Sequence, residues 1–389
     1  MLGTLFSLYI KAIVLVLDLG WIWMPFFLAV AFFESWMYYI RRRYWRNLKW
    51  IILEVKPPKE VDHTPKNMEL IFAGLWGSFG TVGNKLEKYI KGFMQDYFSF
   101  EIVGFNGEVH FYLRVLEKFR DLVEAQFYSQ FPRAEIREVP DYVYSVPATI
   151  PDKNWNLWGC LLSLAKSEVY PIRMHGDFMD EGERPYLDPL SSVVEIMGKL
   201  KPSEQVWIQM LFRPIKDDWT KRSDKEIDKL MERKVDPKTK DTISSRSLLS
   251  LSPSTKEAVE GISKKGDKKG FQTKIQWAYI GRKEIFTMAN VSAVMGAFNQ
   301  YSNLNTNSLV PDKKTMTRAN YLFAKVRKAY KQRILMRLLR QRSFWEKGYV
   351  FNIEELATFY HMPTAMVSAP SVSFVEAIKG GPPGELPLE

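Results

Sequence analysis

Three observations predict an α+β fold for this chain of 389 residues. Several short segments alternate apolar and polar residues with a period of two, the signature of strands with two different faces. Between them lie segments whose apolar residues recur at helical spacing. The order strand-helix-strand-strand-helix-strand then occurs twice, behind one long apolar run at the N-terminus.

That run, residues 12–33, reads AIVLVLDLGWIWMPFFLAVAFF and is apolar except for Asp18. A helix of about 20 such residues crosses a bilayer core. Trp21 and Trp23 lie within it, and Trp36, Tyr38, Tyr39, Tyr44 and Trp45 follow as an aromatic belt. Arg41, Arg42, Arg43 and Arg46 come next, whereas only Lys11 precedes. Basic flanks stay cytoplasmic. The expectation is a transmembrane anchor over residues 1–46 in the inner (cytoplasmic) membrane, with the N-terminus outside and the rest of the chain inside. Other readings are a cleaved leader, because Ala29-Val30-Ala31 has the small-x-small format, and a buried core helix. A further alternative is two membrane segments, 2–17 and 20–40, turning at Asp18-Leu19-Gly20. At mid-helix Asp18 costs about 2.5–3.5 kcal/mol, which the apolar neighbours offset.

The first body spans residues 47–150. Residues 50–55 form an apolar strand stopped by Pro57-Pro58. A helix starts near Thr64-Pro65 and carries Met68, Ile71, Phe72, Leu75 and Trp76 at helical spacing. Phe98, Phe100 and Ile102 then alternate with Ser99 and Glu101; Val109, Phe111, Leu113 and Val115 alternate with His110, Tyr112 and Arg114. Such alternation implies one buried and one solvated face. Asn106-Gly107 between them is a hairpin turn. A helix over 117–131 ends at Pro132, and residues 134–139 form a closing strand. The order is that of the ferredoxin-like (βαββαβ) arrangement.

The second body, 151–313, repeats the order. A strand lies within 156–174, a helix over 188–200, strands over 204–212 and 271–280, a helix over 283–301, and a weak strand near Leu309. Its middle strands are separated by a charged insertion, about 214–270, in which 217–234 form a charged helix and the rest is expected to be mobile. The insertion reads either as a solvated loop or as a contact with nucleic acid or anionic lipid. A basic helix follows over 318–345. Val326, Tyr330, Ile334, Leu338 and Leu339 form its stripe, surrounded by Lys325, Arg327, Lys328, Lys331, Arg333, Arg337, Arg340 and Arg342. Asn352 and Glu355 open a short helix at 353–360 with a capping box. Residues 364–389 read as a Pro/Gly linker tail.

A net charge of +11 favours anionic partners. The single cysteine, Cys160, forms no internal disulfide, in keeping with a reducing compartment. No catalytic signature is found. GSFGTVGNK at 77–85 has Asn84 where a phosphate-cradling loop needs lysine. His63, His110, His175 and His361 are widely separated, without HExxH spacing. His175, Asp177, Asp180, Glu181 and Glu183 form an acidic loop that reads either as solvated or as a hard-cation site. No G-x-S-x-G occurs, and Cys160 lies in an apolar strand. The expectation is a non-enzyme with no cofactor and no metal. The eight cations of the basic helix are the candidate polyanion contact; packing as a peripheral helix is the simpler alternative.

Five phrases carry a resemblance: LEVKPPKEVDHTPKNMELIFAGLWG (53–77), FEIVGFNGEVHFYLRV with FRDLVEAQFYSQFPRAEI (100–136), DPLSSVVEIMGKLKPSEQVWIQMLFRP (188–214), FTMANVSAVMGAFNQY (286–301) and FNIEELATFYHMP (351–363). In this order, over nearly the whole chain, they resemble the membrane-anchored N-terminal region of bacterial conjugation-type ATPases, related to type IV secretion motors of the HerA/FtsK class. In that family a Walker A motor domain follows the Pro-rich linker, whereas this sequence stops at Glu389. The resemblance therefore implies a non-catalytic accessory module that positions a motor ATPase in a DNA- or protein-translocating machine. Its implied partners are membrane, the motor, DNA, and copies of itself or a larger assembly. The alternative is a stand-alone, membrane-anchored nucleic-acid-binding protein.

Overall fold

The computed structural model describes residues 11, 18, 20–57, 65–80, 85–178, 188–231, 234–235, 242–243, 251–344 and 348–363. It divides into two compact units, residues 1–49 with 80–95, and residues 50–79 with 96–389.

The first unit contains α1 (Gly20–Arg46); its short helix, Lys85–Tyr89, is α3 in chain order. Trp36 Nε1 donates to the Tyr89 carbonyl at 3.0 Å. Tyr44 packs edge-on against Phe93 at 5.7 Å. Gly92, at φ +70, lies where a Cβ would meet the Ile40 carbonyl carbon at 2.6 Å.

The second unit is built on β1 (Trp50–Lys56), β2 (Phe98–Phe105), β3 (Glu108–Leu116), β4 (Glu135–Glu138), β5 (Trp155–Leu164), β6 (Glu204–Pro214), the short pair β7 (Lys234–Val235) and β8 (Thr242–Ile243), β9 (Gly270–Arg282), β10 (Leu309–Pro311) and β11 (Tyr349–Asn352). Nine of these form one antiparallel sheet in the order β10-β5-β9-β6-β2-β3-β1-β4, with β11 also paired to β9. The helices are α2 (Pro65–Trp76), α4 (Arg120–Gln130), α5 (Leu190–Gly198), α6 (Thr220–Leu230), α7 (Pro253–Gly266), α8 (Met288–Phe298), α9 (Ala324–Gln341) and α10 (Ile353–Phe359).

Strand alternation sorts the side chains onto two faces. One carries Phe98, Phe100, Phe111, Leu113, Met210, Phe212 and Trp277, covered by stripes such as Met68, Ile71, Phe72 and Leu75 of α2 and Val123 and Phe127 of α4. The other carries Val103, Tyr112, Leu157, Leu161, Trp207 and Ile280, covered by α9 and by Tyr142, Val143, Val146 and Ile150. Both faces are therefore buried, and the alternate residues Ser99 and Glu101 are fully enclosed rather than solvated. The Asn106-Gly107 turn has positive φ at both residues, 54° and 81°, as a two-residue hairpin loop of this kind requires.

Two expectations are corrected. The strands of 47–150 and 151–313 do not form two separate ferredoxin-like units. β2 and β6 pair antiparallel from Phe98↔Phe212 to Phe105↔Gln205, so both segments share one sheet. The physical reason is that β2 and β6 each bury one apolar face, while the polar residues Ser99, Glu101 and Gln209 on the other face are hydrogen-bonded under Tyr142 and Arg342, so both strands are enclosed as interior strands. Nor is a transmembrane anchor supported, because among the described residues no helix is long and apolar enough to cross a membrane. Within the described residues the apolar stretch of α1 before Glu34 is Gly20–Phe33, about 21 Å at 1.5 Å per residue against the roughly 30 Å of a bilayer core. Residues 12–17 and 19 of the run lie outside the described residues. The inner-membrane placement and its outside N-terminus fall with the anchor.

The expected mobile stretch of the insertion also contains a folded element. Pro253–Gly266 is helical, capped by Ser252, whose hydroxyl accepts from Thr255 N–H, and it buries Ala258, Val259, Ile262 and Lys265.

Candidate functional site

α9 is the element to which the sequence assigns most candidate residues, and its seating decides which can act. Its buried stripe is Gln332, Leu335, Met336, Leu338 and Leu339. Gly159 of β5 leaves room for this approach: a Cβ there would stand 2.9 Å from Leu335 Cδ2 and 2.2 Å from the Trp277 carbonyl oxygen. Gln332 Nε2 donates to Asn156 Oδ1 at 2.9 Å and to the Leu157 carbonyl at 2.5 Å. Val326 and Tyr330, expected in the packed stripe, instead face outward at 69% and 65% exposure.

The eight cations of this segment separate into three groups. Lys325, Arg327, Lys328, Arg333 and Arg337 are exposed. Lys331 and Arg340 are half-buried. Lys331 Nζ donates to the Met316 carbonyl at 3.1 Å, and the Arg340 guanidinium lies 5.0 Å from the centre of the Tyr144 ring. Arg342, just past the helix in a left-handed conformation, is fully buried and cannot reach a polyanion. It forks onto Glu101 (Nε–Oε1 3.0 Å, Nη2–Oε2 2.9 Å) and onto Asp141 (Nη1–Oδ2 2.5 Å, Nη2–Oδ1 2.9 Å). Burial works against its charge, but Glu101 and Asp141 hold the guanidinium well above its ordinary pKa. The network continues through Tyr142 Oη, which donates to Glu101 Oε2 at 2.5 Å and accepts from Gln209 Nε2 at 2.7 Å. Gln276 Nε2 then donates to Gln209 Oε1 at 2.6 Å. Gln276 Oε1 has no partner among the described residues, but the rest of this buried network is bonded and fixes one register of α9 on the sheet.

The anchor-related residues belong to the first unit. Asp18, Trp21, Trp36, Arg42 and Arg43 are exposed, and Arg41 is half-buried. Trp23 belongs to α1, and its side chain lies outside what the structure describes.

A second cluster, which the sequence does not reveal, gathers Glu69 of α2, His175 and Glu354 of α10, all buried, with potential ligand atoms within 4.8 Å of one another. His175 Nε2 contacts Glu69 Oε1 and lies 4.0 Å from Glu354 Oε1. Lys268 Nζ sits between the two carboxylates, 2.8 Å from Glu69 Oε2 and 2.7 Å from Glu354 Oε2, with Lys264 3.8 Å from Glu354. Burial raises the Glu69 carboxyl, but hydrogen bonds from His175 and Lys268 outweigh it and leave its pKa below the ordinary carboxylate value. Burial likewise lowers Lys268, and Glu354 and Glu69 outweigh it in the other direction. The ammonium thus occupies the gap between the two carboxylates and offsets one of their charges, so the cluster reads as an ion-pair clasp between α2, α10 and the turn after α7. Of the acidic loop read from sequence, His175 joins this clasp, and Asp177 Oδ2 accepts from Met174 N–H at 3.0 Å. Asp180, Glu181 and Glu183 lie outside the described residues.

Beside the clasp, Lys265 and Glu355 are both fully enclosed, 2.9 Å apart. Burial dominates each of them, lowering the lysine and raising the glutamate. His361 faces Asp188 Oδ1 at 2.8 Å and the Ala357 carbonyl at 3.0 Å. His110 faces Glu54 Oε1 at 2.6 Å. Three of the four histidines therefore stand next to carboxylates; His63 lies outside the described residues. Cys160 is buried, and that burial pushes its thiol up to about 12.

A family model described as a domain of unknown function (DUF8128) matches residues 46–374, and the chain belongs to that family. No curated protein matches it.

Proposed function

We infer that this member of the DUF8128 family is a non-catalytic assembly module of a conjugation-type, type IV secretion-like translocation machine, and that it holds a separate motor ATPase through α9. The placing of α9 supports this reading. Its inner stripe and Arg342 fix it to the sheet, while Lys325, Arg327, Lys328, Arg333 and Arg337 stand exposed on its other sides. A helix held this firmly, with exposed cations, is suited to presenting a surface to a partner at fixed orientation. Holding the motor near its polymer raises its effective concentration without any chemistry in this chain.

The test is co-purification of the full chain with a Walker A motor encoded beside it, followed by size and ATPase measurements. The expected result is a stable complex, lost in the double variant Arg333→Glu/Arg337→Glu, with no nucleotide hydrolysis by the chain alone. Hydrolysis by the pure chain, or a motor that ignores it, overturns the reading.

The five exposed cations also favour a second reading, stand-alone nucleic-acid binding. Each phosphate neutralised on duplex DNA adds about 0.9 to the steepness of the salt dependence. Duplex binding that weakens steeply with salt, in the absence of any motor, would favour it.

A further inference from the structure

The outward side of α9 has an order of its own. Within the helix, Val326, Tyr330, Arg333 and Arg337 follow one another at intervals of 4, 3 and 4 residues, the spacing of a coiled-coil seam, with Phe323 at the residue before the helix. The helical part of this seam lies opposite the buried stripe and spans about 17 Å. Its first half is apolar: Phe323, Val326 and Tyr330 are 78%, 69% and 65% exposed, beside exposed Tyr321 and Leu322. Its second half is cationic, and Arg333 and Arg337 are both exposed. Tyr321 and Phe323 hold left-handed backbone conformations, with φ of 67° and 56°. Bulky residues rarely adopt that region, which costs about 1–2 kcal/mol per residue. Their side chains are nevertheless exposed, and no packing among the described residues offsets the cost.

We propose that this seam is the docking site for an amphipathic helix of a partner protein, apolar along one half and acidic along the other. The proposal rests on the assembly reading above and specifies the partner's chemistry. Charge selects the occupant. A second copy of α9 would set arginine against arginine if parallel and arginine against Phe323 and Val326 if antiparallel, and it offers no carboxylate in either case. A nucleic acid would satisfy the arginines but leave Val326 and Leu322 against its phosphates. A helix with leucine-like residues followed by glutamates satisfies both halves, burying the apolar residues in the manner of helix-on-helix recognition. The carboxylates then pair with arginines that are already planar, forked donors.

The experiment uses the full chain and a fluorescent synthetic peptide of about 20 residues, with leucine at the seam positions of one half and glutamate at those of the other. A matched peptide carries lysine in place of glutamate. Binding is followed by anisotropy and peptide helicity by circular dichroism. The glutamate peptide is expected to bind and become helical, and the lysine peptide to bind at least about ten-fold more weakly. Val326→Asp should abolish binding. Arg333→Glu/Arg337→Glu should reverse the preference, so that the lysine peptide binds better; this rescue shows that the variant remains folded. Equal binding of both peptides, or of neither, overturns the proposal. Tighter binding of a short duplex or single strand, lost in the same variants, overturns it in favour of nucleic acid. Self-association abolished by Val326→Asp overturns it in favour of a second copy. If peptide binding fails while the motor still co-purifies, the docking chemistry is wrong and the assembly reading stands.

Discussion

Arg342 holds Glu101 with two parallel hydrogen bonds, of 3.0 and 2.9 Å, across 241 residues of sequence, and both side chains are fully enclosed. This pair ties the end of α9 to β2. A charge enclosed this way is costly to orphan.

Replacing Arg342 with Met leaves the Glu101 carboxylate buried against Ser99 and Tyr142 without a cation. The expected loss is about 3–5 kcal/mol of stability, read as a lowered urea midpoint. Adding Glu101→Gln to that variant removes the stranded charge and should recover part of the loss.

Lys265 and Glu355 are expected to behave differently when changed singly and together. Burial disfavours both ionised forms; each offsets the other, and Glu355 is also held by the Asn352 and Ile172 N–H groups. Lys265→Met alone should cost about 3–5 kcal/mol, whereas Lys265→Met with Glu355→Gln, which removes both charges and keeps an amide oxygen for those N–H donors, should recover part of that loss. Equilibrium unfolding of the three variants forms a double-mutant cycle that isolates the coupling.

The clasp predicts a pH dependence. Glu69 has a lowered pKa in the folded chain, so its contribution is complete above the ordinary carboxylate value of about 4.3 and is lost as pH falls through the lower folded value. Lys268 is raised, so its contribution is complete below about 10.4 and is lost as pH rises past its folded value. Glu54, whose burial is outweighed by His110 and Arg137, adds to the acid limb. Urea midpoints should therefore fall steeply on acidification below about pH 4, and Glu69→Gln should flatten that limb.

Cys160 should be unreactive in the folded chain. Its thiol is enclosed and shifted to about 12, so little thiolate exists near neutrality. An alkylating reagent at pH 8 should label it only as fast as the chain opens, with full labelling in denaturant.

Much of the element pattern is legible in sequence because it is local. The stripe Met68, Ile71, Phe72, Leu75 and the Asn106-Gly107 turn state their structure within a few residues. What escapes is whatever a distant residue decides. Ser99 and Glu101 have the pattern of a solvated face, and only the arrival of Arg342 and α9 encloses them. Arg342 itself is one more cation in a basic run, and nothing near it distinguishes it from Arg337. The Glu69–His175–Lys268–Glu354 clasp bonds residues 86 to 199 positions apart, beyond any spacing rule. The helix at Pro253–Gly266 was within reach: Ser252-Pro253 is a capping residue followed by proline at the first turn, and the surrounding lysines mask it.

The seam between β2 and β6 has a consequence for how the chain can be divided. A fragment ending near residue 150 would bare the whole edge of β2, and its complement would bare β6, each an apolar ribbon of unpaired amides and carbonyls. Expressed apart, the two pieces should clump. Expressed side by side, they should find each other and zip, because each carries the missing neighbour of the other.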